Sequence, residues 1–327
     1  MTDQAERSRP FAEELREFGP ESHSEPMSLP AAQAYCRKLA RSHYENFPLV
    51  SWLLPKELHQ HFYNVYAFCR WADNLGDEVH DSVRSLALLE WWRTQVSLCH
   101  EAAANLQDGS RQALRHPVMI ALHTTIREFQ IPLQPFVDLI SAFIQDQTKT
   151  SYETFEELLD YCRRSANPVG RLVLHLGRDV NVVNLGWSDS ICTGLQLANF
   201  WQDVARDFAI GRIYLPVRDL EQFGVDRDVL GQGVSTPEFK RLMAFQVDRT
   251  RKFFNDGSPL VDNVTPALRL DVDLFLAGGR KILDRIEASG FQVLERRPKV
   301  TKWDAVGLLA GACWRKWTSP RRAAGAI

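Results

Sequence analysis

The strongest constraint on this chain is its hydrophobic period: apolar residues return at every third or fourth position over most of its length. Phe62, Val65, Tyr66 and Cys69 form one such run, and Leu158, Tyr161 and Cys162 another. That spacing keeps one face of a 3.6-residue helix apolar. It predicts helices near 29–45, 56–80, 82–105, 116–129, 133–148, 153–183, 188–207, 235–256, 262–288 and 302–316. Pro48, Pro55, Pro117, Pro132, Gly211, Pro216, Gly257, Gly290 and Pro298 punctuate them. No strand-like alternation persists, and no internal repeat or Gly/Ser linker splits the body. Residues 28–300 therefore read as a single all-α domain, a helical bundle around a central apolar cavity. Residues 1–27 read as a flexible leader, and 301–327 as a last helix with a basic tail.

Charge and cysteine usage narrow the function classes. The formal net charge is −2 over 327 residues, so no global positive field favours nucleic acid. The six cysteines, at 36, 69, 99, 162, 192 and 313, form no Cys-x-x-Cys pair and no zinc-type spacing. They sit in apolar stretches and read as reduced core residues, which fits a cytoplasmic compartment. The first 27 residues lack the apolar segment of a secretory signal, and no apolar run approaches the roughly 20 residues of a membrane-spanning helix. A soluble or peripheral protein is expected.

The polar residues on two of the helices carry the chemistry. In Tyr66-Ala-Phe-Cys-Arg70-Trp-Ala-Asp73-Asn-Leu-Gly-Asp77-Glu78, the two aspartates are four apart and stack on one helix face, with Arg70 on the same side. Stacked like charges repel unless a cation sits between them, although the same spacing also suits a solvated surface. Tyr66, Phe68 and Trp71 make this helix apolar, and unpaired carboxylates are costly in such surroundings. The second stretch, from Leu195 to Asp207, holds Asn199, Asp203 and Asp207 as an i, i+4, i+8 ladder, extended one turn by Gln196. Leu197, Phe200, Trp201 and Val204 are apolar. A lined cavity and an amphipathic surface helix both fit this ladder taken alone.

Two such helices in one chain favour a metal site. Hard oxygen donors without a His or Cys partner set point to Mg²⁺ or Mn²⁺. The Glu-x-x-His repeat of di-iron bundles is absent. Facing carboxylate helices would hold metal ions that bridge to a diphosphate and ease its departure. The rest of such a cavity must be apolar and aromatic, to hold a prenyl chain and shelter a carbocation from water.

At these residues the chain resembles the squalene/phytoene synthase family, the head-to-head branch of the all-α isoprenoid synthases. The likeness runs from about Tyr35 to Arg297. It rests on Tyr66-Ala-Phe-Cys-Arg70 before Asp73, and on Leu195-Gln-Leu-Ala-Asn199 with Asp203, Asp207 and Gly211-Arg-Ile-Tyr-Leu-Pro216. It rests further on Tyr161-Cys-Arg-Arg-Ser-Ala-Asn-Pro-Val-Gly170 and on Ile282-Leu-Asp-Arg-Ile286 through Arg296. The resemblance implies that Asp73, Asp77, Asn199, Asp203 and Asp207 bind Mg²⁺, several ions bridging the diphosphate. It implies that Tyr66, Arg70, Gln196, Asn199 and Arg296 contact substrate and that Tyr161 faces the reacting centre. Three departures stand out. Asn74 replaces a frequent second aspartate, a tyrosine common in the closing helix is replaced around Gly278-Gly279, and the usual Ser-rich flap reads Ser42-His43-Tyr44-Glu45-Asn46-Phe47-Pro48. This flap, with Ser165-Ala-Asn-Pro-Val-Gly170, resembles the bacterial hydroxysqualene synthases of hopanoid pathways.

That narrower likeness implies presqualene diphosphate as substrate, with water capturing a rearranged cation and no NADPH required. His43, Tyr44 or Glu45 would position the water. A presqualene diphosphate or phytoene synthase condensing two molecules such as farnesyl diphosphate is the alternative on the same fold. A non-catalytic assembly protein is the alternative of another class, and the retained acidic ligands argue against it. The mix of Trp303, Trp314, Arg315, Lys316, Trp317, Arg321 and Arg322 suits either a peripheral contact with the inner membrane face or a plain basic tail. Membrane contact would fit release of an oily product and its hand-off to a downstream reductase.

Overall fold

The structure, a computed structural model, describes residues 10–42, 54–105, 113–301 and Asp304. Among these, helices form almost everywhere, no strand forms, and one isolated parallel bridge joins Ser151 to Ile213. In chain order the helices are α1 (Phe11–Phe18), α2 (Leu29–Ser42), α3 (Lys56–Asp77), α4 (Ser82–Ala104), α5 (Pro117–Phe129), α6 (Gln134–Asp146) and α7 (Phe155–Ser165). They continue with α8 (Asn167–Leu176), α9 (Val182–Ala209), α10 (Val217–Phe223), α11 (Pro237–Gly257), α12 (Leu260–Asn263) and α13 (Pro266–Ala288). A 3₁₀ turn covers Arg227–Gly231. The expected all-α class is what forms.

Two compact units share these helices. One comprises Met1–Thr150 with Leu159–Leu185; the other comprises Ser151–Leu158 with Gly186–Ile327. In the first unit α2, α3, α4 and α5 pack on one another, and α6 and α8 close against α3. Its centre is aromatic: Trp92 stacks on both Phe68 and Trp71, at 5.6 and 5.5 Å between ring centroids, and Phe136 meets Phe68 edge-on at 4.9 Å. All four are fully buried. In the second unit α11 packs on α13 and α10. Trp201, Phe239 and Phe254 are buried there, and the Trp201 indole donates to Thr250 Oγ1 at 2.8 Å.

Four boundaries depart from the sequence expectation. The leader is not loose over Phe11–Phe18. Phe11 is 5% exposed and meets Trp71 edge-on at 5.0 Å, and Phe18 packs against Tyr35 and His116. Phe11, Leu15 and Phe18 already carry the helical period, and its polar partner is Glu14, which accepts from the Tyr35 hydroxyl at 3.0 Å. The single helix expected over 153–183 breaks into α7 and α8, because Pro168 has no N–H and its ring clashes with a preceding carbonyl. α9 starts at Val182 instead of 188, since Asn181 Oδ1 caps it by accepting from the Asn184 amide at 2.8 Å. The short α10 and α12 lacked the length to show a period. The helix expected over 302–316 lies outside the described residues except for Asp304. There Thr301 and Asp304 accept each other's backbone N–H, at 2.8 and 3.2 Å, the reciprocal pairing that opens a helix.

Candidate active site

α3 presents Tyr66, Arg70, Asp73 and Asp77 along one face, while Phe62, Val65, Phe68, Trp71, Ala72 and Leu75 are buried on the others. Tyr66, Arg70 and Asp73 are half-buried and Asp77 is exposed. Arg70 Nη1 donates to Asp73 Oδ2 at 2.8 Å, and its Nη2 reaches Glu78 Oε1 at 3.4 Å. Burial raises the Tyr66 hydroxyl above its ordinary range; Arg70 opposes the shift and Asp73 adds to it. Tyr66 is therefore a neutral donor at physiological pH. Asn74, the departure from the family pattern, is 4% exposed. A carboxylate there would be desolvated beside the core, and the neutral amide avoids that cost.

Tyr161 lies in the same unit on α7 and is 4% exposed. Its hydroxyl donates to Asp146 Oδ2 at 2.7 Å. Arg164, one turn further along α7, donates to Gln145 Oε1 at 2.5 Å and to Asp160, tying α7 to the end of α6. Sequence reasoning named Tyr161 and missed Asp146, which lies 15 positions away with no local pattern linking the two.

The second polar stripe belongs to the other unit, on α9. Gln196 and Asp207 are half-buried, Asn199 is exposed and Asp203 is buried. Burial, and then the neighbouring Asp203 charge, push the Asp207 carboxyl up to about 7, against the opposing pull of Arg212, Arg206 and Arg297. The stripe ends where α9 ends. Gly211 takes a left-handed φ of 81°, its N–H bonds to Phe208 O at 2.9 Å, and the Arg212 N–H returns to Asp207 O at 2.8 Å. Tyr214, next in that turn, stacks on Phe200 at 3.8 Å between ring centroids. A small pocket there is lined by Phe200, Val204, Asp207, Arg212, Tyr214 and Leu230, among others.

The sequence expectation placed Arg296 on the substrate. The structure leaves Arg296 exposed and brings Arg297 to the stripe. Arg297 Nε and Nη2 each donate to one oxygen of Asp203, the Nη2 bond being 2.8 Å, and Nη2 also meets Gln202 Oε1 at 3.3 Å. Adjacent arginines in an irregular segment cannot be told apart by periodicity. The segment leaves α13 through Gly290 and Phe291, both at positive φ.

The donor chemistry of the two stripes fits magnesium. Among the described residues no group of three or more His, Cys, Asp and Glu side chains gathers as a complete cage. Magnesium does not need one, since it takes one or two carboxylates and fills its shell with water and phosphate oxygens. Asp207 is raised first by burial and then by the Asp203 charge, and a cation beside it would offset both. Cys69, one turn before Asp73, is pushed up to about 12 by burial and by Asp73, so its thiol stays protonated and leaves the ligand field to oxygen. The described cysteines 36, 69, 99, 162 and 192 are all free thiols. No helix among the described residues is long and apolar enough to cross a membrane. His43, Tyr44 and Glu45 of the flap, and the Trp303 and 314–322 cluster, lie outside the described residues.

The chain is 30% identical over 299 residues to a phytoene synthase of Arthrospira platensis, covering 86% of this chain and 94% of that protein. It is 30% identical over 248 residues to a hydroxysqualene synthase of Rhodopseudomonas palustris, covering 74% and 80%. Its fold matches the crystal structure of squalene synthase HpnC from Alicyclobacillus acidocaldarius with a TM-score of 0.74 and 40% identity, covering 80% of this chain and 95% of that one. The squalene/phytoene synthase signature matches residues 40–304, and with both acidic stripes inside that span the chain belongs to the squalene/phytoene synthase family of enzymes.

Proposed function

We propose that this enzyme converts presqualene diphosphate and water to hydroxysqualene and diphosphate. The observation that carries the reading is the pair of polar stripes on α3 and α9. The likeness to the hydroxysqualene synthase and to squalene synthase HpnC supports the choice of substrate. Asp73 and Asp77 on α3, and Asn199, Asp203 and Asp207 on α9, would hold Mg²⁺, which would supply positive charge against the departing diphosphate. Arg70, already paired with Asp73, adds a fixed positive charge beside that position. Tyr66, neutral and half-buried, donates a hydrogen bond to a phosphate oxygen. Gln196 adds a substrate contact on α9, where Arg297, not the exposed Arg296, is the arginine at the stripe. Tyr161 presents its oxygen to the cation with its proton committed to Asp146, and His43 positions the captured water. No hydride is delivered, so NADPH is not consumed.

The product is an alcohol, so a separate reductive step must follow where squalene is required. An oily C₃₀ product favours work at a bilayer surface in the cytoplasm, with the aromatic and basic C-terminal residues resting on anionic lipid. A second reading, condensation of two prenyl diphosphates, is favoured by the likeness to phytoene synthases. The deciding experiment is incubation with presqualene diphosphate and Mg²⁺ without NADPH, then with farnesyl diphosphate alone, with products identified by mass spectrometry. Hydroxysqualene from the first incubation supports the proposal, while phytoene-type or presqualene products from prenyl diphosphates alone would replace it. Asp73→Asn and Asp207→Asn should each lower turnover by roughly 10²–10³-fold, the range for losing one group that stabilises transition-state charge.

A further inference from the structure

Arg297 occupies the two oxygens that the preceding reading gives to a metal ion. Its fork takes both oxygens of Asp203, a side chain only 11% exposed. The chain beside it is tied down as well, because Gln202 Nε2 donates to Pro298 O at 2.5 Å. Arg206 stands further off, with Nη1 at 3.7 Å from Asp203 Oδ1. A bidentate guanidinium engages both oxygens of a carboxylate and repels a second cation there, so it competes with a divalent cation for Asp203. Removing the guanidinium without replacement leaves a buried charge uncompensated, which is costly. A displaced guanidinium in turn needs an anion, and its fork fits phosphate oxygens as well as it fits a carboxylate.

We propose that Arg297 couples cation binding to diphosphate binding: it neutralises Asp203 in the metal-free enzyme and passes to the diphosphate when a divalent cation takes Asp203. The inference rests on the metal role assigned to Asp203 above, and it is independent of which prenyl chain the diphosphate carries. The metal alone must displace an ion pair and so binds weakly. The metal with diphosphate gives the displaced arginine a new partner and binds more tightly. By linkage, diphosphate gains affinity from the metal by the same factor.

The test is calorimetric titration of the full-length protein with Mg²⁺, with and without inorganic pyrophosphate, with the heat of magnesium–pyrophosphate association subtracted. In the wild-type protein pyrophosphate should tighten Mg²⁺ binding at least tenfold. Arg297→Gln should bind Mg²⁺ alone at least tenfold more tightly than wild type and lose most of the pyrophosphate effect. A purely structural arginine would give the opposite, since its removal loosens the site. Arg297→Lys, which keeps a charge but cannot take both oxygens, should fall between and guards against a misfolded Gln variant. Adding Asp203→Asn to Arg297→Gln should abolish the gain. Mg²⁺ affinity unchanged or weakened in both Arg297 variants overturns the proposal, as does a gain that survives Asp203→Asn. A positive coupling result together with no turnover of presqualene diphosphate would retain the coupling and remove only the substrate assignment.

Discussion

The Tyr161 hydroxyl donates to Asp146 Oδ2 at 2.7 Å, joining the middle of α7 to the last residue of α6. Tyr161 is 4% exposed and Asp146 is half-buried, so the bond is partly shielded from water. A hydrogen bond to a charged acceptor contributes roughly 1.5–3 kcal/mol. It also fixes the phenol as an acceptor towards any other neighbour, because its one proton is spent. Tyr161→Phe should lower unfolding stability by about 1–3 kcal/mol in urea titrations. Asp146→Asn keeps an acceptor and should cost less than Asp146→Ala. Equal losses in the two Asp146 variants would show that the bond is not the source of the stability.

Adjacent glycines in α13 should respond in opposite senses. A Cβ at Gly279 would lie 2.3 Å from Phe254 Cζ and 2.8 Å from Leu195 Cδ2. Phe254 cannot give way easily, because it is fully buried and its Cε1 sits 2.9 Å from where a Cβ at Gly194 would be. Gly279→Ala should therefore destabilise by about 1–3 kcal/mol, the usual cost of overpacking. A Cβ at Gly278 meets nothing within 4 Å. Gly278→Ala should stabilise by roughly 0.5–1 kcal/mol through helix propensity alone. Thermal melts of the two single variants test both signs, and a destabilised Gly278→Ala would show that the space beside it is needed.

These glycines also show where a sequence stops being legible. The helices of the body can be read because each buries a continuous apolar face, and the i, i+4 spacing alone puts Asp73 with Asp77 and Asp203 with Asp207 on shared faces. The replacement at Gly278-Gly279 could be seen but not interpreted, since its meaning lies in the Phe254 ring 25 positions earlier. Asp146 and Arg297 were missed for the same reason. Their partners, Tyr161 and Asp203, are 15 and 94 positions away, and no periodicity connects them. The N-terminal helix is a different case. Its Phe11, Leu15 and Phe18 spacing was present, but eight residues among polar neighbours gave too short a window to outweigh their composition.

That helix should contribute measurably to stability. Phe11 packs on Trp71, and Glu14, Tyr35 and Trp71 form a chain in which the Trp71 indole donates to the Tyr35 hydroxyl at 2.8 Å and that hydroxyl donates to Glu14 Oε2. Trp71 sits on α3 two residues before Asp73, so the helix braces the element that carries the first acidic pair. Phe11→Ala should cost about 3–5 kcal/mol, the range for emptying a buried aromatic site. Unfolding midpoints of Phe11→Ala and of a chain lacking residues 1–18 should fall together, and an unchanged midpoint in both would contradict the bracing role.

His116 makes the stability of the first unit depend on pH. Its ring is 2% exposed and is boxed by Phe18, Trp71, Trp91 and Trp92, each meeting it edge-on at 4.4–5.9 Å. Its Nδ1 accepts the Val118 N–H at 3.2 Å as the cap of α5, which requires that nitrogen to be unprotonated. Burial lowers its pKa to about 3, from 6.5 in the unfolded chain. Between those values the unfolded chain binds the proton and the folded one does not, so stability rises with pH in this window. The contribution is complete above pH 6.5 and is lost at about 1.4 kcal/mol per pH unit as the pH falls below it. From pH 7 to pH 5 the wild-type protein should thus lose about 2 kcal/mol more than His116→Asn, which retains a capping side chain and has no proton to bind. Urea titrations of both proteins at the two pH values measure the difference, and parallel losses would place the pH dependence elsewhere in the fold.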